Sequence, residues 1–291
     1  MALKAKKADP VAKRLKLFMF GDYGVGKTTA AIQFPQAYVF DCERGTDNYA
    51  DTLNASNSVR LQTVSAEEVI EELRALQTER HDYRTVIIDP ITTLESDIVE
   101  RANQKYDATA KEGGDMRVWR DRDATMKRIA NLIFRLDMNI IMTAHGKVDY
   151  GPNMTKLGMT FDGWKRLPYM FDLVLELKRE GTDRVAHVKK TRIKEFTDGE
   201  KFGFDYAEIL RRCGAILEKD ATPLVLATAE QVAELTRLLE IIKLPDGTTD
   251  KWLQKAGVDV FADMPSDAIA KCITFVKSKL TTTDTTGKDG N

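Results

Sequence analysis

Gly21-Asp22-Tyr23-Gly24-Val25-Gly26-Lys27-Thr28 follows directly on the apolar run Leu15-Lys16-Leu17-Phe18-Met19-Phe20. The octet satisfies G-x-x-x-x-G-K-[ST] in full, and the run before it supplies the strand from which a phosphate-binding loop springs. Glycines let the backbone curl until successive N–H groups point inward, and the helix that follows adds the positive end of its dipole to the anion site. Lys27 is then placed for the β- and γ-phosphates of a nucleoside triphosphate, and Thr28 for Mg2+ through its hydroxyl. At ordinary residue frequencies the pattern arises by chance in about 1 % of chains this long. The expected nucleotide contacts are Gly21, Asp22, Tyr23, Gly24, Val25, Gly26, Lys27, Thr28 and Thr29.

Outward from the loop, strands and helices alternate. Thr28 to Gln33 has room only for a brief helix, because Pro35 disfavours helix at Phe34. A second strand is expected over Ala37 to Asp41 and a helical segment near Ala66 to Gln77. Thr85-Val86-Ile87-Ile88-Asp89 reads as a buried parallel strand ending in an acid. A long charged amphipathic region over Ile91 to Leu136 leads to the apolar strand Asn139 to His145. This alternation predicts an α/β fold with a doubly wound, mostly parallel sheet.

After His145 the pattern loosens into a loop-rich stretch. Leu173 to Lys178 and Arg184 to Thr191, joined by Glu180-Gly181-Thr182-Asp183, then predict a hairpin closing one side of the sheet. From Thr228 the sequence turns helical. Thr228 and Gln231 form a capping box, and Val232, Leu235, Leu238, Leu239 and Ile242 recur at helical spacing up to Asp246-Gly247. Shorter helices are expected around Trp252 and over Ser266 to Leu280, with a polar, disordered tail over 281–291. The expected organisation is a basic arm over 1–13, the core over 14–219 and a small C-terminal helical module over 220–280.

Composition narrows the function classes. With 291 residues, 43 % of them hydrophobic, the chain can bury one large core and a small second module. No run approaches the roughly 18 apolar residues of a membrane span and no apolar signal core opens the chain. The expected partners exclude membrane and the expected location is the cytoplasm, the host's if the chain is phage-encoded. Cys42, Cys213 and Cys272 are scattered, which argues against a disulfide frame or structural zinc. Net charge is −1, so basic character is local: Lys4, Lys6, Lys7, Lys13, Arg14 and Lys16 face only Asp9.

In open α/β sheets ligands sit beyond the carboxyl ends of the strands, so polar residues there carry the chemistry. Asp89 stands where an acid orients Mg2+. Glu43, just past the second strand in Phe40-Asp41-Cys42-Glu43, is a candidate acceptor for the proton of the attacking water, and Asp41 competes for that role. His145 ends its strand within reach of the γ-phosphate or that water. The expected catalytic set is Lys27, Glu43, Asp89 and His145, with Thr28 and Asp89 on the metal.

The series Gly21 to Thr28, Phe40 to Glu43, Val86 to Asp89 and His145 resembles the core of RecA-type ATPases, over about residues 14 to 215. It looks closest to the RecA-like phage ATPases associated with single-strand annealing. The resemblance implies a RecA-like P-loop core in which the acid after the second strand is the catalytic base. Lys190-Thr191-Arg192 resembles the paired cations that such proteins present to ATP held by a neighbouring subunit, so Lys190 and Arg192 are expected to act in trans within a homo-oligomer, ring or filament. The stretch His145 to Met170 takes the place of the DNA-binding loops. Its Lys147, Tyr150, Lys156, Trp164, Lys165 and Arg166 offer cations for a backbone and aromatic faces for bases, the requirements of single-stranded DNA binding.

These readings point to an ATP- and Mg2+-dependent phage-type recombination ATPase that binds single-stranded DNA and promotes annealing or strand pairing. Two other functions share the same site. One is a switch ATPase or helicase loader directed at a replication protein or single-strand-binding protein through the C-terminal module. The other is an ATP-binding annealing scaffold with negligible turnover.

Overall fold

Every residue of Leu17 to Gly21 is buried, and that stretch with Lys16 makes β1 (Lys16–Gly21), the central strand of the sheet. A computed structural model describes residues 14–107, 115–217, 225–242 and 244–284. The chain divides into two compact units, neither continuous in sequence: residues 1–62, 82–93 and 138–220 in the first, residues 63–81, 94–137 and 221–291 in the second.

The first unit holds the sheet. After β1 come α1 (Lys27–Ala31), β2 (Ala37–Asp41), a 3-10 turn over Asp47–Tyr49, α2 (Ala50–Ala55) and β3 (Val59–Gln62). The helix at α1 is as short as Pro35 requires. β4 (Thr85–Asp89) opens the second stretch of this unit, and β5 (Asn139–Tyr150), β6 (Lys156–Phe161), β7 (Leu173–Glu180), β8 (Asp183–Thr191) and β9 (Lys201–Gly203) belong to the third. The main sheet runs β3-β2-β4-β5-β1-β7-β8-β9, with β6 paired to β5. Strands from β3 across to β7 are parallel, while β8, β9 and β6 are antiparallel to their neighbours. The acid-bearing strand β4 is thus separated from β1 by β5, and β7 flanks β1 on its other side.

Alternation across the pleat gives β1 two buried faces. On one, Leu17 and Met19 pack with Val39, Ile87, Ile141, Leu175 and Leu177, covered by Ala30 and Ala31 of α1 and by Ile209 and Cys213 of a later helix over Tyr206–Leu217. On the other, Phe18 meets Phe161 edge-on at 5.2 Å and Phe171 at 5.3 Å. Phe18 and Phe171, both fully buried, each contribute about 1.5–3 kcal/mol through area removed from water. Asn139, fully buried, accepts from the Leu15 amide at 3.1 Å and donates to the Leu217 carbonyl at 3.1 Å, which pins the start of β5 to the start of β1.

The stretch after His145, expected to be loop-rich, is instead a continuation of β5. The strand runs on to Tyr150 and returns as β6, with Gly146 opposite Phe161 and Lys147 opposite Thr160. Its residues alternate weakly, since both faces of this outer part are open to solvent, and the sequence signal for a strand fades with them. The β7–β8 hairpin is present, with Glu180 opposite Asp183 and Gly181 in the left-handed region at φ 64°. Arg14 is buried and Lys16 sits in β1, so neither extends the basic arm; residues 1–13 lie outside those described.

The second unit comprises α3 (Ala66–Thr78), most of α4 (Ile91–Tyr106), α5 (Met116–Ile133) and the C-terminal helices. The helices of the first unit that close the core are α6 (Leu167–Met170) and α7 (Tyr206–Leu217). In the second unit Gln77 donates to the Leu132 carbonyl at 2.7 Å, and Arg122 pairs with Glu95 at 2.7 Å. The C-terminal part forms α8 (Ala229–Ile241), α9 (Thr248–Ala256) and α10 (Ser266–Asp284) around Leu235, Val258, Met264, Ile269 and Val276. Thr228 and Gln231 make both bonds of the expected capping box. α10 continues four residues past Leu280, where disorder was expected from 281; residues 285–291 lie outside those described. Arg74 of α3 pairs with the buried Asp263 at 3.0 Å and Lys127 of α5 pairs with Asp259 at 2.8 Å, so these helices and the C-terminal segment are one unit.

Candidate active site

The register of the sheet sets Gly21 beside His145, and Asp41 beside Asp89, at the carboxyl ends of β1, β5, β2 and β4. A cleft of about 400 Å3 opens there, lined by Gly21 to Gly24, Lys27, Thr28, Glu43, Gly45, Asp89, Pro90, His145 and Gly146. All four residues expected to be catalytic line it.

Within the loop, Gly24 and Gly26 take left-handed φ of 69° and 89°, conformations that a side chain would strain. Lys27 folds back so that its ammonium donates to the Gly21 carbonyl at 2.9 Å and the Asp22 carbonyl at 2.8 Å. Burial pushes its pKa below the usual range, against the pull of Asp89, Asp22 and Glu43. The ammonium is therefore held over the loop in a partly desolvated pocket, where an anion gains most from it. Thr29 lies by Tyr49, with the two hydroxyls 3.2 Å apart. Tyr23 projects into solvent, 91 % exposed.

Asp89 is buried and takes hydrogen bonds from the Thr143 and Thr28 hydroxyls. Burial raises its pKa, and neighbouring Asp41 adds to the rise, while the two hydroxyls and Lys27 oppose it. A carboxylate and a threonine hydroxyl in direct contact, both facing the cleft, form the donor pair that a hard, oxygen-seeking divalent cation takes when phosphate oxygens and water complete its shell. Among the described residues no group of three His, Cys, Asp or Glu side chains could hold a metal ion unaided.

Asp41 and Glu43, alternatives in the sequence, are separated by their surroundings. Asp41 is 1 % exposed and fully engaged, accepting from the Gly45 amide at 2.9 Å, the Thr46 amide at 3.1 Å and the Thr46 hydroxyl at 2.5 Å. It knots the turn that carries Glu43. Glu43 itself faces the cleft, accepts from the Thr93 hydroxyl and lies 3.1 Å from His145 Nε2. The His145 amide in turn donates to the Thr92 hydroxyl at 3.0 Å, and that hydroxyl donates to the Asp162 carbonyl at 2.7 Å. Thr92 and Thr93 escaped the sequence reading because they sit at the start of a helix, where threonine reads as an ordinary terminal residue.

The residues expected on DNA divide. Lys147, Tyr150 and Lys156 lie on the β5–β6 hairpin, Lys147 paired with Asp162 at 2.7 Å. Lys165 and Arg166 are exposed just after it. Trp164 is only 3 % exposed, so its ring is part of the interior and, contrary to expectation, offers no face to a base. Lys190 donates to the Pro168 carbonyl at 2.6 Å and the Phe171 carbonyl at 2.7 Å, bonds that cap α6 within its own chain. Arg192 is more open, held by the Tyr169 carbonyl at 3.0 Å and Asp172 at 3.4 Å.

Residues 13–199 match the family model described as an AAA domain, well over half of the chain. No curated protein matches the chain. The crystal structure of the RadB recombinase is similar at 18 % identity, covering 65 % of this chain and 86 % of that one with a TM-score of 0.39, a likeness too slight to bear on function. Among the described residues no helix is long and apolar enough to cross a membrane. With its loop after β1, its acid after β4 and a strand between them, the chain belongs to the AAA domain family, and its mostly parallel sheet is the core of an α/β P-loop fold.

Proposed function

We propose that this chain hydrolyses ATP with Mg2+ and couples that reaction to single-stranded DNA, as a phage-type recombination ATPase promoting annealing or strand pairing. The observation that carries the reading is the Glu43–His145 contact at 3.1 Å, made at the point where β5 leaves the cleft and becomes the exposed hairpin. One strand thereby carries a group of the reaction centre and, five residues on, Tyr150.

Thr28 and Asp89 are the residues that would hold Mg2+, which when bound neutralises phosphate charge and orients the triphosphate. Lys27 exchanges its bonds to the Gly21 and Asp22 carbonyls for phosphate oxygens. Glu43 is placed to orient the attacking water and accept its proton, a contribution of about 10²–10⁴-fold. Asp41 holds the Glu43 turn in place. His145 exchanges Glu43 for the γ-phosphate or the water, and its amide bond to Thr92 ties that exchange to Asp162 at the base of the hairpin. Lys147, Tyr150 and Lys156 supply cations and an aromatic face along the hairpin. Arg192 remains the better placed of the two cations expected to reach a neighbouring subunit.

A second reading has its own observation. Met154 and Leu157 at the hairpin tip are 74 % and 65 % exposed, apolar surface that suits a protein partner or a neighbouring copy as well as a base. Hydrolysis measured with and without single-stranded DNA separates the two. Stimulation by DNA supports the recombination reading; indifference to DNA with stimulation by a replication protein supports a protein-directed switch.

A further inference from the structure

β7 flanks β1 on the side away from β5, so the β7–β8 hairpin borders the phosphate loop on the side opposite Asp89, Glu43 and His145. β7 runs three residues past Leu177, the residue beside Gly21, before it turns back. Leu177 and Ala186 face the core, so Arg179 and Arg184, each two residues further along, share that face and stand directly opposite one another. Two like charges directly across an antiparallel pair are unfavourable. Among the described residues neither forms an ion pair: Arg179 donates only to the Gly181 carbonyl at 3.1 Å.

Arg184 also touches the loop. A Cβ built on Gly26 would fall 2.5 Å from Arg184 Nε and 2.9 Å from its Cδ and Cζ, so the guanidinium lies against the residue that precedes Lys27. Glycine at 26 is needed for its φ of 89°, and the flexible end of Arg184 fills the space its missing side chain leaves. Among the described residues Arg184 has no acid partner, although it lies against an anion-binding loop and faces a second arginine, a placement suited to a bound anion.

We propose that Arg184, backed by Arg179, is a nucleotide-binding residue acting within its own chain, on the part of the nucleotide away from the γ-phosphate. This rests on the reading of the cleft as an ATP site. The γ end is marked by Glu43, His145 and Asp89 across the loop, so the arginines serve the α- and β-phosphates, which ATP and ADP share. Arginine suits the task because its planar fork can bind two oxygens while its stem packs on backbone.

The test titrates a fluorescent ATP analogue and its ADP counterpart into the full chain, and reads KM and kcat for hydrolysis, with Lys27→Ala alongside. Arg184→Ala is expected to weaken both nucleotides by about ten-fold or more, as loss of a charge-assisted bond does, raising KM while kcat is kept. Arg184→Lys should recover part of the loss, and Arg179→Ala should show a smaller one. Arg184→Gln, which keeps most of the stem, separates charge from packing and should behave as Arg184→Ala. Affinity within two-fold of wild type for both nucleotides, or a fall in kcat with affinity intact, overturns the assignment of Arg184 while leaving the ATP site standing. A wild-type chain that binds neither nucleotide, and so does not differ from Lys27→Ala, overturns the ATP site itself.

Discussion

His145 Nε2 lies 3.1 Å from Glu43 Oε1, joining residues 102 positions apart across the mouth of the cleft. If Glu43 handles the proton of the attacking water, Glu43→Gln lowers the hydrolysis rate by about 10²–10⁴-fold and leaves nucleotide affinity near wild type. If His145 relays nucleotide state, His145→Ala spares more of the basal rate and removes the response to DNA. Steady-state hydrolysis with and without DNA measures both.

Asp89 carries opposite effects on stability and activity. Burial raises its pKa, so the folded chain holds a proton that the unfolded chain has already released. Stability is then lost as pH rises from the ordinary carboxylate range through the raised folded value, and stays lowered above it. Asp89→Asn, which cannot ionise, should be more stable than wild type at neutral pH and flatten that pH dependence. The same variant should lose hydrolysis, because the metal's carboxylate is gone. Thermal melts from the carboxylate range to pH 8, beside an activity assay, check both.

Asp41 never faces the cleft, yet its removal should reach the chemistry. Asp41→Ala leaves the Gly45 and Thr46 amides without their buried acceptor and costs about 3 kcal/mol. It also frees the Glu43 turn, so kcat should fall more than in a variant of equal stability loss elsewhere. Denaturant unfolding combined with kcat tests this.

Trp164 and the hairpin lysines should separate cleanly. Trp164→Ala removes a buried ring and should cost about 3–5 kcal/mol. Lys156→Ala, on the exposed strand β6, should leave Tm unchanged while weakening single-stranded DNA binding and reducing the salt dependence of that binding by about one charge. Salt titrations of DNA affinity beside thermal melts read both.

Much of the core was legible in the chain because its signals are local. The loop from Gly21 to Thr28 is contiguous, β4 announces itself by an unbroken β-branched run ending in Asp89, and Pro35 dictates the brevity of α1. The capping box at Thr228 was equally plain. What escaped lies where the signal is tertiary. β6 has little buried surface to impose alternation, so Lys156 to Phe161 reads as loop until Phe161 is seen against Phe18. Trp164 looks the same in sequence whether it stacks on a base or fills the interior. The choice between Asp41 and Glu43 depends on which carboxylate the backbone amides of residues 45 and 46 engage. Thr93 and Arg184 meet the site only through folding, from a helix start and from a strand edge.

Mg2+-dependent ATP hydrolysis by the purified chain, with and without single-stranded DNA and with Lys27→Ala as the blank, bears most directly on the reading of this site. Hydrolysis that rises with DNA and vanishes in Lys27→Ala is the expected result, tying the phosphate loop to the hairpin beyond His145. Hydrolysis unchanged by DNA would contradict the coupling, and a Lys27→Ala rate equal to wild type would contradict the site itself.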